Sequence, residues 1–241
     1  HQTNTNDQND MTLYPPGISL PELEQQEFIL LIGSNIRREQ PLASNRLRKA
    51  QLAGKKIASI NCFDLEFPFH QEEKIITAPH EWVFVLAGLA KALAEELPSL
   101  PRVDSHVSEQ QKKLATYLKN KKSIIILGAI AHNHPQASLI RQLSEWIAEQ
   151  SGAQCIYLTE GANSAGAWLA GAIPHRLPGG IAVSEPGLAA HEMFNAGLKA
   201  YLLVNIEPPL DCANPIQVTQ ALRQADWIVA LSSFKSKSLF P

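Results

Sequence analysis

Apolar residues gather along this chain in short unbroken runs, each closed by a glycine or a polar turn and followed by a segment of helical period. Phe28–Ile32 (FILLI), Ser123–Leu127 (SIIIL), residues 200–205 (AYLLVN) and Trp227–Leu231 (WIVAL) are such runs, and residues 57–61 (IASIN) read as the parallel strand after the first. Their length and continuous apolarity suit parallel strands covered on both faces. Residues 153–158 (AQCIYL) and a shorter stretch over 73–77 (EKIIT) read as further strands. Between them the 3.6-residue period predicts helices over 81–96, 108–119, 136–150, 186–197 and 215–224, with a single turn over 21–26. Another helix is predicted from Pro41, which suits a first helical position, to a stop at Gly54.

Strands that alternate with helices in this way build parallel βαβ units, so the fold class is α/β, with Rossmann-like parallel sheets flanked by helices. Residues 1–20 are polar and then rich in Pro and Gly, a lead-in loop. The segment 161–180, GANSAGAWLAGAIPHRLPGG, is dominated by small residues, which allow close approach of backbone to backbone or of backbone to ligand.

Composition narrows the function more than the fold. The chain has 241 residues, enough for one large domain or two small ones, and its 21 Lys and Arg nearly balance 23 Asp and Glu. No net field therefore draws nucleic acid or a membrane surface to it. The longest apolar stretch, 82–94, is interrupted by Lys91 and falls short of the roughly 20 residues of a membrane span. Three scattered cysteines, Cys62, Cys155 and Cys212, form no zinc or iron-sulfur spacing and suit a reducing compartment. A start at His1 and an end in mid-pattern lead us to expect a piece of a longer protein.

The candidate chemistry centres on Gly33, Ser34 and Asn35, the turn that closes the first strand. Loops leaving the carboxyl ends of parallel strands are where open α/β sheets bind ligands. This turn has two readings. Backbone N–H groups and the Ser34 hydroxyl could cradle a phosphate, with Arg37 and Arg38 at hand to neutralise it; or the turn is structural. It is neither GxGxxG nor a Walker loop.

Elsewhere the chemistry is thinner. His132 and His134 have ligand-like spacing without a carboxylate or cysteine nearby, in a context that reads as turn. His175 with Arg176 could hold an anion or a subunit, or serve in packing or in water, and Cys212 has no identifiable base. No paired acids, GxSxG or Ser-His-Asp arrangement is found, so the chain has the frame of an enzyme without recognisable catalytic residues and without a metal site.

LLIGSNIRREQPL, GANSAGAWLAG, AGLKAYLLVNIEPPLDCANP and ADWIVALSSF in combination resemble the molybdopterin-oxidoreductase-like region of one family, the large peripheral-arm subunits of NADH-quinone oxidoreductase, respiratory complex I. The resemblance runs from Gln2 to Phe234. It implies formate dehydrogenase/DMSO reductase-like domains, with residues 1–158 as one α/β domain and 159–241 as part of a second.

The resemblance also implies a role. The full-length subunit would pass electrons from NADH through iron-sulfur clusters (4Fe-4S and 2Fe-2S) towards quinone. The clusters would lie outside this segment, which would carry no cofactor and serve as scaffold. Its expected partners are other subunits of the peripheral arm, at the cytoplasmic face of the bacterial inner membrane, without a span of its own.

Related molybdenum enzymes hold a pterin dinucleotide with the corresponding loops. Where they tend to have Asp-Pro-Arg after the second strand, this chain has Asn61, Cys62 and Phe63, so Gly33, Ser34 and Asn35 are expected to be a vestigial cofactor turn. The alternative is a molybdopterin dinucleotide-binding oxidoreductase fragment in which that turn and 161–180 still hold the dinucleotide.

Overall fold

The structure, a computed structural model, describes residues 17–93, 107–119, 122–159, 161 and 163–234. The expected lead-in before Gly17, the end of the helix over 81–96 with the prolines after it, and the tail KSKSLFP lie outside the described residues. The described chain falls into two compact units, 17–166 and 167–234.

The first unit contains five strands: β1 Phe28–Ile32, β2 Lys56–Asn61, β3 Glu73–Ile76, β4 Ser123–Leu127 and β5 Gln154–Tyr157. Its helices are α1 Leu20–Glu24, α2 Ile36–Glu39, α3 Pro41–Leu52, α4 Trp82–Leu93, α5 Glu109–Lys119, α6 Ala129–His132 and α7 Ala137–Ser151. A short helix, α8 Ser164–Leu169, follows. The sheet runs β3-β2-β1-β4-β5 and every pairing in it is parallel. From β1 the chain builds outward through β2 to β3 and then returns to the other side of β1 for β4 and β5. The reversal of order therefore lies between β1 and β4, and a crevice at their carboxyl ends is a doubly wound sheet's customary binding place.

Alternation along the strands sorts the core into two layers, as a period of two requires. Phe28, Leu30 and Ile32 join Ala58, Ile60, Ile125 and Leu127 against α4, α5 and α7. Ile29 and Leu31 join Ile57, Ile124 and Ile126 against Leu23, Ile36 and α3. All five residues of β1 are fully buried. Burying each such aliphatic side chain contributes roughly 1.5–3 kcal/mol, so the central strands carry much of the fold's stability.

The rim of this unit is held by exposed ion pairs. Lys113 on α5 reaches Glu73 at the start of β3, 2.8 Å away. The Lys113 hydrogen bond, helped by Gln110, holds the Glu73 carboxyl below its ordinary value of 4.5. A depressed carboxyl contributes stability above its unfolded pKa and loses it as pH falls through the folded one. Glu73→Gln should accordingly lower the thermal midpoint slightly at pH 7, and the difference from wild type should fade as pH drops below about 4.5. Paired melts from pH 7 to pH 3 check this.

The second unit holds β6 Ala200–Val204 and β7 Trp227–Leu231, paired in parallel, with α9 Ala190–Met193, α10 Pro208–Asp211 and α11 Pro215–Gln224. Two expectations are corrected here. These strands are not buried on both faces: Tyr201 and Leu203 pack with Val218, Ala221 and Leu222 of α11, while Leu202, Val204, Trp227, Val229 and Leu231 are exposed. The helix expected over 186–197 shrinks to four residues, and its start is set by Glu192, which accepts the Ala189 N–H.

Candidate functional site

Gly33, Ser34 and Asn35 stand at the carboxyl end of β1, beside β4, where the strand order reverses. Gly33 has φ +58°, a conformation that favours glycine over residues with a side chain. Its surroundings also exclude a side chain: a Cβ there would lie 2.6 Å from the Ala131 nitrogen and 2.7 Å from the Trp82 ring. The turn after β4 comes equally close, since a Cβ on Gly128 would collide with Ser34 Cβ. Glycine at both strand ends lets the two turns touch.

Backbone hydrogen bonds fasten that contact. Gly128 N–H donates to the Ile32 carbonyl at 2.9 Å, and Ile130 and Ala131 N–H donate to the Gly33 carbonyl at 2.9 and 3.3 Å. On the other side, Gly33 N–H donates to Ile60 and Asn61 Nδ2 donates to the Ser34 carbonyl, both at 2.9 Å. Asn61, almost wholly buried, thus ties β2 to the turn. Phe63, two residues on, is exposed.

The principal finding is where the carboxylate of Glu39 goes. Its Oε1 accepts the Asn35 N–H at 2.5 Å. Its Oε2 accepts the Ser34 hydroxyl and the Ala129 N–H, both at 3.1 Å. Three donors from which a phosphate cradle would be built at this turn, the Ser34 hydroxyl and the N–H groups of Asn35 and Ala129, are therefore engaged by one acidic side chain. Arg37 and Arg38, beside it in sequence, are exposed. Sequence reasoning placed the cradle and missed its occupant. An acid four residues after Asn35 is a faint signal of a cap, and Ala129 lies 90 residues away.

The histidines of the β4 turn have structural surroundings. His134 stacks on Trp82 at 5.7 Å, and its Nδ1 accepts the Gln136 N–H at 3.0 Å. That leaves Nε2 to carry the proton towards the Pro79 carbonyl, 2.9 Å away. His132 meets the edge of Tyr157 at 5.4 Å. Among the described residues no three His, Cys, Asp or Glu side chains converge as a metal site. His175 and Arg176 are buried in the second unit, which removes the reading of a water-exposed pair. No described helix is long and apolar enough to cross a membrane.

Cys155 on β5 is mostly buried, and burial together with the nearby Glu145 charge pushes its thiol up to about 12. At pH 8 only about one thiol in 10,000 is then the reactive thiolate. Iodoacetamide at pH 8 should leave Cys155 of the native protein unmodified and label it after denaturation, as read by peptide mass spectrometry. The Tyr157 phenol is also pushed up, by burial and by its bond to Glu145.

A sequence profile of the family described as molybdopterin oxidoreductase matches residues 2–238. No curated protein matches the chain. Among solved structures, a chain of the formyltransferase/hydrolase complex of Methylorubrum extorquens, determined with methylofuran, superposes with a TM-score of 0.56 at 13% identity. The match covers 92% of this chain and 61% of that one, and at this identity the likeness is one of fold.

Proposed function

Because the chain belongs to the molybdopterin oxidoreductase family, we propose that it is a scaffold segment of the NADH:quinone oxidoreductase subunit that carries electrons from NADH through iron-sulfur clusters towards quinone. In this reading the segment has no redox centre of its own, and residues 159–241 form part of a second α/β domain. The 4Fe-4S and 2Fe-2S clusters are held elsewhere in the full-length chain. Its partners are other subunits of the peripheral arm, at the cytoplasmic face of the bacterial inner membrane.

The observation that supports this reading is the Glu39 carboxylate in the crevice between β1 and β4. The family's name implies a pterin, and the dinucleotide form adds a pyrophosphate. This crevice does not fit such a group. A phosphate at the turn would meet a carboxylate of like charge and donors already committed. The Asn61 side chain, at the end of the second strand where a ribose partner would be sought, is turned to the Ser34 carbonyl instead.

The test is isolation of the tagged full-length protein from detergent-solubilised membranes. Co-purification with an assembly that oxidises NADH and reduces quinone is the expected result. Recovery as a lone enzyme, active without other subunits, would contradict the proposal.

A further inference from the structure

We infer that Glu39 is a resident anion: a carboxylate of the chain itself that fills the β1/β4 crevice, joins its two turns, and bars phosphate from them. The inference rests on the reading that this segment holds no cofactor, and assigns to Glu39 a ligand-like role that joins the two turns.

A backbone N–H and a serine hydroxyl each offer one proton. The Ser34 hydroxyl and the N–H groups of Asn35 and Ala129 all go to Glu39. Gly33, Gly128, Ile130 and Ala131 direct their N–H groups to carbonyls of Ile60, Ile32 and Gly33. A phosphate seeking any of these protons would first have to displace Glu39 or break the contact between the turns.

A Cβ at Gly128 would come within 2.7 Å of Glu39 Oε2, as well as striking Ser34. The carboxylate of this partly buried side chain thus lies against both turns.

A comparison within the chain separates this role from ordinary capping. After β6, Asp211 accepts the Glu207 N–H at 2.7 Å, four residues away. Glu39 makes the same local bond to Asn35 and then a second one to Ala129, on the turn of the neighbouring strand. A cap needs only the first. Bonding across the crevice is what an anionic ligand at a switch point would do, and here the ligand is tethered.

The test compares the full chain with Glu39→Ala and Glu39→Gln. Removing the carboxylate leaves three donors without a partner, and Glu39→Ala should lower the unfolding midpoint by about 4–8 °C. Sodium formate, against sodium chloride at equal ionic strength, should restore part of that loss saturably and do nothing to wild type. Inorganic pyrophosphate should not raise the wild-type midpoint.

Glu39→Gln, an isostere without charge, carries the test by NMR if the alanine variant does not fold. The amide protons of both Asn35 and Ala129 should then shift. A shift at Asn35 alone would reduce Glu39 to a local cap and overturn the inference. So would a folded Glu39→Ala protein blind to formate, or stabilisation of wild type by pyrophosphate. Any of these results can occur in a protein that still lacks a pterin, so failure here is distinguishable from failure of the scaffold role.

Discussion

Gly33→Ala should lower the unfolding midpoint by about 6–12 °C, the equivalent of roughly 3 kcal/mol in a chain of this size. Two costs combine. The first is backbone strain: at φ +58° an L side chain costs about 1–2 kcal/mol. The second is overpacking, since the added Cβ would sit 2.6 Å from the Ala131 nitrogen and 2.7 Å from the Trp82 ring. Both neighbours are fixed, one by the backbone and the other by full burial, so yielding typically costs a further ~1–3 kcal/mol.

Gly54→Ala isolates the first cost. Gly54 has φ +85° and nothing within 4 Å of its missing Cβ. That variant should lose only about 3–6 °C. Melting all three proteins side by side reads the contribution of the close approach directly. Equal losses would mean that the two turns do not touch.

Trp82→Ala should cost about 3–5 kcal/mol, the usual result of emptying a large buried aromatic site. Trp82 is fully buried in the core layer on the α4 side of the sheet. Its indole N–H donates to the Thr77 carbonyl at 3.3 Å, and its ring supports His134. The loss should therefore reach the β4 turn as well as the core, and amide exchange should quicken around Ala131 and His134. Phe84, on the same helix and 53% exposed, is the control. Phe84→Ala should cost less than half as much, as chemical denaturation of both variants can measure.

The central sheet was legible because FILLI and SIIIL are too continuous for a half-solvated strand, and the structure buries them on both faces. The same rule misjudged AYLLV and WIVAL. Their runs are as apolar, but a run does not reveal what covers its second face, and here one face stays exposed. The helix over 186–197 was overextended because apolar period alone took no account of the Glu192 cap.

The turn at Gly33, Ser34 and Asn35 was legible as a place, since a glycine closing a buried strand marks the ligand end of an α/β sheet. Its content was not. Glu39 looked like the last member of a charged run leading into α3. Only the pairing of β1 with β4 brings Ala129 to it. A contact spanning 90 residues leaves no local pattern to read.

The frame of a cofactor-binding fold with its cradle closed by Glu39 makes one chemical demand of the whole protein. Molybdenum and tungsten analysis of the purified full-length protein, with release and fluorescence assay of any pterin, tests it most directly. The account predicts neither metal above trace level and no releasable pterin. Stoichiometric molybdenum or tungsten with a pterin dinucleotide would contradict it.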